Sequence, residues 1–190
     1  MFDRSLYEKT LLDDIGEKRF NHSLRVVDKA LSLSKGKDVD LEKVKIAGFL
    51  HDCAKYNEKK YLTLLRPEFI ENSTIDMKSP ILHAFLGAEV AEKVYNIKDR
   101  EILDAIRYHT TGRENMSLLE KIIFLADGLE EGRSYPGVKK LREIAYDDLD
   151  CGLLSMLDHN IKFLLEKNAY IEDLTFKARN YLIKEKYGKS

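Results

Sequence analysis

The chain has no tryptophan, only two cysteines and three prolines in 190 residues, and no long apolar run. Each scarcity excludes something. Cys53 and Cys151 form no CxxC pair, so thiolate zinc sites and dithiol redox motifs are not expected. The aliphatic segment Ile122-Ile123-Phe124-Leu125-Ala126 falls far short of the ~20 residues a membrane span needs. The first fifteen residues are charged and lack the apolar core and small-residue cleavage signal of a secretory leader. The expectation is a cytoplasmic protein with no membrane insertion. No excess of one charge exists either: 32 basic side chains face 33 acidic ones. That argues against a nucleic-acid partner, whose footprint is a basic face. It leaves room for an anionic small molecule, because bound metal can supply local positive charge.

What is present is helical periodicity from end to end, without an alternating strand run. The length suits one domain, residues 1–190. A first helix is expected over Leu6–Ile15 and a second over Arg19–Ser34, whose stripe Phe20, Leu24, Val27, Leu31 recurs at helical spacing. Asp40 caps the next, which runs into His51-Asp52. A short helix over Glu58–Leu65 stops before Pro67. Ser79-Pro80 reads as a capping hydroxyl followed by proline in the first turn of a helix Ile81–Tyr95. Asp99 caps Arg100–Thr110, which breaks at Gly112, and Ser117 with Glu120 forms a capping box for the helix reaching Asp127. Residues 132–137 read as a loop. Helices over Val138–Tyr146, Leu149–Lys167 and Leu174–Tyr187 complete an all-α helical bundle.

Four of the five histidines, His22, His51, His83 and His109, lie in or at the end of these apolar helical stretches, together with Asp52 and Asp127. A single histidine on an apolar face is most often a core residue bonded to a carbonyl, and an aspartate at a helix end is most often a cap or a solvated charge. Asp127 follows an apolar segment, where an unpaired carboxylate would be strongly disfavoured. The joint pattern calls for one explanation. Imidazoles with carboxylates suit a divalent transition metal, and six donors exceed the need of one tetrahedral ion. A two-metal hydrolytic centre is the leading reading: His22, His51 and Asp127 around one ion, His83 and His109 around the other, and Asp52 between them. Asp52, His83 and His109 are the candidate catalytic residues. His159 has no such context and reads as structural or exposed.

Arg25 is three residues beyond His22 and Lys55 three beyond Asp52, so each shares a face with a donor. With Arg133, in the glycine-rich loop, they are candidate phosphate clamps. The plainer alternative leaves Arg25 solvated and pairs Lys55 with a surface acid.

The ordered set His22, His51-Asp52, Asp127 resembles the HD-domain phosphohydrolase superfamily. The segments His22-Ser23-Leu24-Arg25, His51-Asp52-Cys53-Ala54-Lys55, His83-Ala84-Phe85-Leu86-Gly87 and Tyr108-His109-Thr110-Thr111-Gly112 are similar to its YqeK family. So are Leu125-Ala126-Asp127, Pro136-Gly137-Val138 and Thr175-Phe176-Lys177-Ala178-Arg179-Asn180. The resemblance implies an HD-domain bundle with a metal-binding core near residues 19–135, completed by C-terminal helices over 138–188. It implies symmetrical cleavage of a dinucleoside tetraphosphate such as diadenosine tetraphosphate to two ADP, by metal-activated water attacking an inner phosphorus. The cofactor would be a di-iron or mixed pair, with manganese, cobalt or zinc as alternatives. Arg25, Lys55, His83, His109, Thr110 and Arg133 would contact phosphates, and Tyr170 and Thr175 would border the nucleoside. A homodimer is compatible with the chain. The sequence departs from the family pattern after Asp127, where Gly128-Leu129-Glu130-Glu131 replaces a bulky residue followed by Ile-Glu-Pro. Another HD-type nucleotide phosphohydrolase, a non-catalytic nucleotide sensor and an all-helical interaction protein remain the alternatives.

Overall fold

The computed structural model describes residues 4–65 and 79–188, and among them the regular structure is entirely helical. Nine helices follow in order: α1 Arg4–Leu33, α2 Leu41–Leu50, α3 Glu58–Leu65, α4 Leu82–Lys93, α5 Arg100–Arg107, α6 Leu118–Leu129, α7 Val138–Asp147, α8 Leu149–Glu166 and α9 Asp173–Tyr187. The expected stop before Pro67 lies outside the described residues.

α6 organises the molecule. Its sequence is apolar on nearly every side, and Leu119, Ile122, Ile123, Leu125, Ala126 and Leu129 are fully buried. A helix apolar all round needs neighbours all round, and α1, α2, α5, α7 and α8 pack on it. Each fully buried leucine, isoleucine or phenylalanine contributes about 1.5–3 kcal/mol relative to exposure. The end of α6 is thereby fixed at the centre of the fold, and Asp127 stands in its last turn.

The capping signals place the other helices. The Asp40 carboxylate accepts from Glu42 and Lys43 backbone N–H, Asp99 from Glu101, and Ser117 with Glu120 forms the reciprocal capping box. Several helix ends shift by one to three residues from expectation. The two expected N-terminal helices are both present within α1 and meet at a kink at Gly16 (φ 74°, ψ 161°), a backbone conformation essentially confined to glycine. The bend lets the N-terminal arm send Leu11 and Ile15 into the core, while Asp14 accepts from Tyr61 and Lys60 of α3. α4 starts at Leu82 rather than at Ile81, because Ser79 Oγ donates to Glu172 at 3.1 Å and makes only a long 3.4 Å contact with Ile81 N–H. α5 ends at Arg107, so His109 sits in the turn that follows, ahead of Gly112.

Candidate metal centre

The six donors arrive on five helices and meet in one place. His22 lies midway along α1, His51 is the C-cap of α2 with Asp52 directly after it, and His83 is in the first turn of α4. All four imidazoles and Asp52 are at most 5% exposed. Asp52 is the hub. Its Oδ1 is 3.2 Å from His83 Nε2 and 3.6 Å from His109 Nε2. Its Oδ2 is 3.3 Å from His51 Nε2 and 4.0 Å from His22 Nε2. Asp127 Oδ1 is 3.0 Å from His22 Nε2 and 3.9 Å from His51 Nε2. The rings form an arc, with centroids 5.3 Å apart from His22 to His51, 5.0 Å from His51 to His109 and 5.3 Å from His109 to His83.

The other ring nitrogen of each histidine is tied down. His51 Nδ1 is 2.8 Å from Gly48 O, His83 Nδ1 is 2.7 Å from Pro80 O, and His109 Nδ1 is 2.7 Å from Ile106 O. His22 Nδ1 is 3.1 Å from Glu130 Oε1. A carbonyl or carboxylate can only accept, so each Nδ1 carries the proton and each Nε2 presents a lone pair to the centre, the usual arrangement of a metal-ligating histidine. Two of these atoms, Nε2 of His22 and of His51, are buried without a hydrogen-bond partner. A buried acceptor left unpaired costs about 1–3 kcal/mol. A cation between them and the carboxylates removes that cost, so the donor set fits a metal. Two groups have donor atoms within 4.8 Å of one another, His22, His51 and Asp127, and His51, Asp52 and His109.

With protons on the imidazoles in place of a cation among them, it is the histidines that balance the carboxylates. Burial by itself would raise Asp52, but His51, His109 and His83 outweigh it and hold the carboxyl well below the usual range. Asp127 follows the same pattern, burial opposed chiefly by His22 and His51. Burial lowers the basicity of His83 and of Lys55.

The basic side chains take varied positions. Arg133 bonds Asp127 twice, Nε to its carbonyl at 2.9 Å and a terminal nitrogen to Oδ1 at 2.6 Å. Lys55 Nζ lies 3.1 and 3.2 Å from the two ring nitrogens of His83, against the centre rather than against a surface acid. Arg25 gives Nε to Glu130 Oε2 at 2.5 Å and is 40% exposed. Thr110 Oγ1 is buried and has no partner. The sequence reading missed two residues. Arg19 places a terminal nitrogen 2.9 Å from Asp52 Oδ2, and its position three residues before His22, on the same helix face, was the available signal. Glu130, 2% exposed, orients His22; it stands with Asp127 among the residues that carry the family resemblance, but the sequence assigned it no role.

Among the described residues, two cavities open onto the centre and another adjoins them. One of about 470 Å³ is bordered by His22, Arg19, Arg25, Tyr56 and Arg133. A second of about 420 Å³ touches His109, Asp127, Thr110 and Arg133 and continues between α6 and α8. The third, about 500 Å³, meets the second only at Thr110 and holds Tyr170 and Thr175, so these two are not gathered with the six donors. His159 is neither isolated nor merely exposed: it stacks on Tyr135 at 4.7 Å, at the edge of the second cavity.

Helices that deliver a histidine, an adjacent His-Asp pair and a distant aspartate to one buried point define the HD-domain class, and the family model for the HD domain matches residues 19–132. The chain belongs to that family, and within it to the symmetrical bis(5′-nucleosyl)-tetraphosphatases, the YqeK group. The protein of that description from Halalkalibacterium halodurans is 41% identical, over 89% of this chain and 91% of its own. The Staphylococcus aureus one is 40% identical, over 89% of each. A solved structure from Clostridium acetobutylicum, described as a predicted HD superfamily hydrolase involved in NAD metabolism, is 40% identical. It superposes with a TM-score of 0.85 over 98% of this chain and all of that one.

Proposed function

We propose that this chain hydrolyses diadenosine tetraphosphate symmetrically, giving two ADP at the buried His-Asp centre. The observation that carries the reading is the convergence of four imidazole Nε2 atoms on two carboxylates, two of those nitrogens being buried and unpartnered. Relatives named for this activity, matched over about nine-tenths of both chains, support it. His22, His51 and Asp127 would hold one ion, and His83 and His109 a second, with the two oxygens of Asp52 serving both. Iron is the metal of choice, with manganese, cobalt and zinc compatible with the same donors. When bound, such a pair lowers the pKa of water and neutralises charge on phosphate oxygens.

The remaining work falls to side chains of this fold. Arg19, on Asp52, and Arg133, on Asp127, border the same cavity and can receive phosphate oxygens there. Lys55 and Thr110 offer donors beside His83 and His109, and Arg25 reaches the outer phosphates from its half-exposed position on α1. A water oxygen adds in line to one inner phosphorus, and the central bridging oxygen departs with the other ADP. That leaving group is a weakly basic anion, so no side chain need protonate it. Both cysteines are free, as suits the reducing cytoplasm where this substrate would be met, and no described helix is long and apolar enough to cross a membrane. The partner is a small dinucleotide, and a homodimer is compatible with this reading.

The test is to incubate the purified protein with diadenosine tetraphosphate and iron or manganese, and to separate the products. Two equivalents of ADP are expected. AMP with ATP would overturn symmetrical cleavage, and no turnover by metal-loaded protein would overturn the activity.

A further inference from the structure

The cavity between α6 and α8 has a construction that phosphate binding does not account for. Met156, His159, Asn160 and Phe163 recur on α8 at spacings of three and four, so they form one stripe along the cavity wall. Met156 and Phe163 make the wall apolar at both ends. His159 and Tyr135 lie nearly parallel (26° between ring planes), and Phe163 is 52% exposed despite being aromatic. Among the described residues no protein group bonds the side-chain amide of Asn160, which carries a donor and an acceptor side by side. Opposite stands Gly128 of α6. A β-carbon there would lie 2.6 Å from Met156 Cε and 3.2 Å from its Sδ, so any side chain at 128 must displace the end of Met156, which lines the cavity. The missing side chain is what lets Met156 lie flush with the α6 backbone.

We infer that this cavity is a nucleoside subsite. A purine ring lies against the Met156–Phe163 face, Asn160 bonds one edge of the base, and Gly128 with Met156 sets the depth. The inference rests on the hydrolase reading, because the same cavity reaches His109, Asp127 and Arg133, where the phosphates of that nucleotide end. Apolar walls with a few convergent polar groups, in about 420 Å³, are the ordinary build of a small-molecule site. An amide pairs bidentately with a base edge by giving N–H to a ring nitrogen or carbonyl and accepting from an amino or ring N–H. The other two cavities lack this combination. The one beside α1 is bordered by charged groups, Arg19, Arg25, Arg133 and Glu130, and the one holding Tyr170 touches none of the six donors. The two ends of a symmetrical substrate therefore meet unlike surroundings: one base is gripped at α8, and the other half lies along a charged channel.

The test measures ADP binding to the metal-loaded protein by calorimetry, beside inorganic pyrophosphate as a probe without a base. Asn160→Ala should weaken ADP by about five- to tenfold and leave pyrophosphate and metal content unchanged. With diadenosine tetraphosphate as substrate it should raise KM while kcat stays within about twofold. Gly128→Ala, which suits the helix and collides only with a flexible thioether, should weaken ADP in the same sense. Unchanged ADP affinity in both variants overturns the subsite, as does a loss confined to Tyr170→Ala. ADP binding is read without turnover, so failure of the hydrolase reading, in which wild type leaves the substrate intact, is seen separately.

Discussion

Glu130→Gln is the sharpest test of how the centre is oriented. Three close donors surround the two oxygens of Glu130, and a fourth, Arg25 Nη2–H, lies farther off at 3.5 Å from Oε1. His22 Nδ1–H faces Oε1 at 3.1 Å, while Arg25 Nε–H and Gly132 N–H both face Oε2 at 2.5 Å. The carboxylate can satisfy all three; burial would raise it, but Arg25, Gly132 and His22 hold it below the usual range. Glutamine keeps one oxygen and adds an NH₂, so one side must become donor against donor. Turning the NH₂ toward Arg25 and Gly132 sets it against two N–H groups. Turning it toward His22 sets it against one close donor and the distant Arg25 Nη2, and the close conflict disappears if the imidazole moves its proton from Nδ1 to Nε2. The second choice costs less, and it fills the lone pair that a metal needs with a hydrogen aimed at Asp127 Oδ1, 3.0 Å away. Removing an outer partner of this kind weakens metal binding by about 10–100-fold, or roughly 1.4–2.7 kcal/mol at 1.36 kcal/mol per decade. Competition against a chelator of known affinity measures it directly. Activity should return at high metal concentration, since all six donors remain. Wild-type metal affinity in folded Glu130→Gln would refute the tautomer argument.

Asp52→Ala should abolish metal loading and turnover together, because the carboxylate faces all four imidazoles; metal analysis beside an activity assay checks this, and normal activity with normal metal content would discard its bridging role. Gly16→Ala should destabilise by about 1–3 kcal/mol from backbone strain alone, since a β-carbon there meets nothing within 4 Å; denaturant unfolding reads it, and an unchanged midpoint would contradict the strained bend. Ser117→Ala should cost about 1 kcal/mol by opening the capping box of α6, again read by unfolding. Lys186 and the Cys151 backbone N–H hold the Asp148 carboxyl down at about 2. Its stabilising effect is therefore complete above the ordinary aspartate range and fades as pH falls toward 2, so melting curves of wild type and Asp148→Ala should converge over that interval and stay apart at neutral pH.

Much of this arrangement could be read from residue order, for identifiable reasons. Asp40, Asp99 and Ser117 announced helix starts because a cap is a local event, settled within four residues. The donors were legible because imidazoles at apolar helical positions are costly unless they share a purpose. Phase was less legible than type. The break between the first two helical segments falls at Gly16, and the second segment resumes directly after it, because glycine can take a backbone conformation that turns the axis within one residue. His109 was placed inside its helix, although Tyr108 already leaves helical geometry (φ −105°, ψ 10°). Glu130 and Tyr170 show the harder limit. Whether a side chain beyond a helix end turns toward a neighbour more than a hundred residues away, or into another cavity, depends on how whole helices pack.

The donors come from α1, α2, α4, α5 and α6, so no pair of helices supplies all six. A chain with any one of those five segments undocked lacks a ligand, so tight binding appears only at the last stage of assembly. Retained ion thus serves as a tally of correctly finished molecules. It distinguishes them from compact, helical but misassembled ones that circular dichroism would count as native.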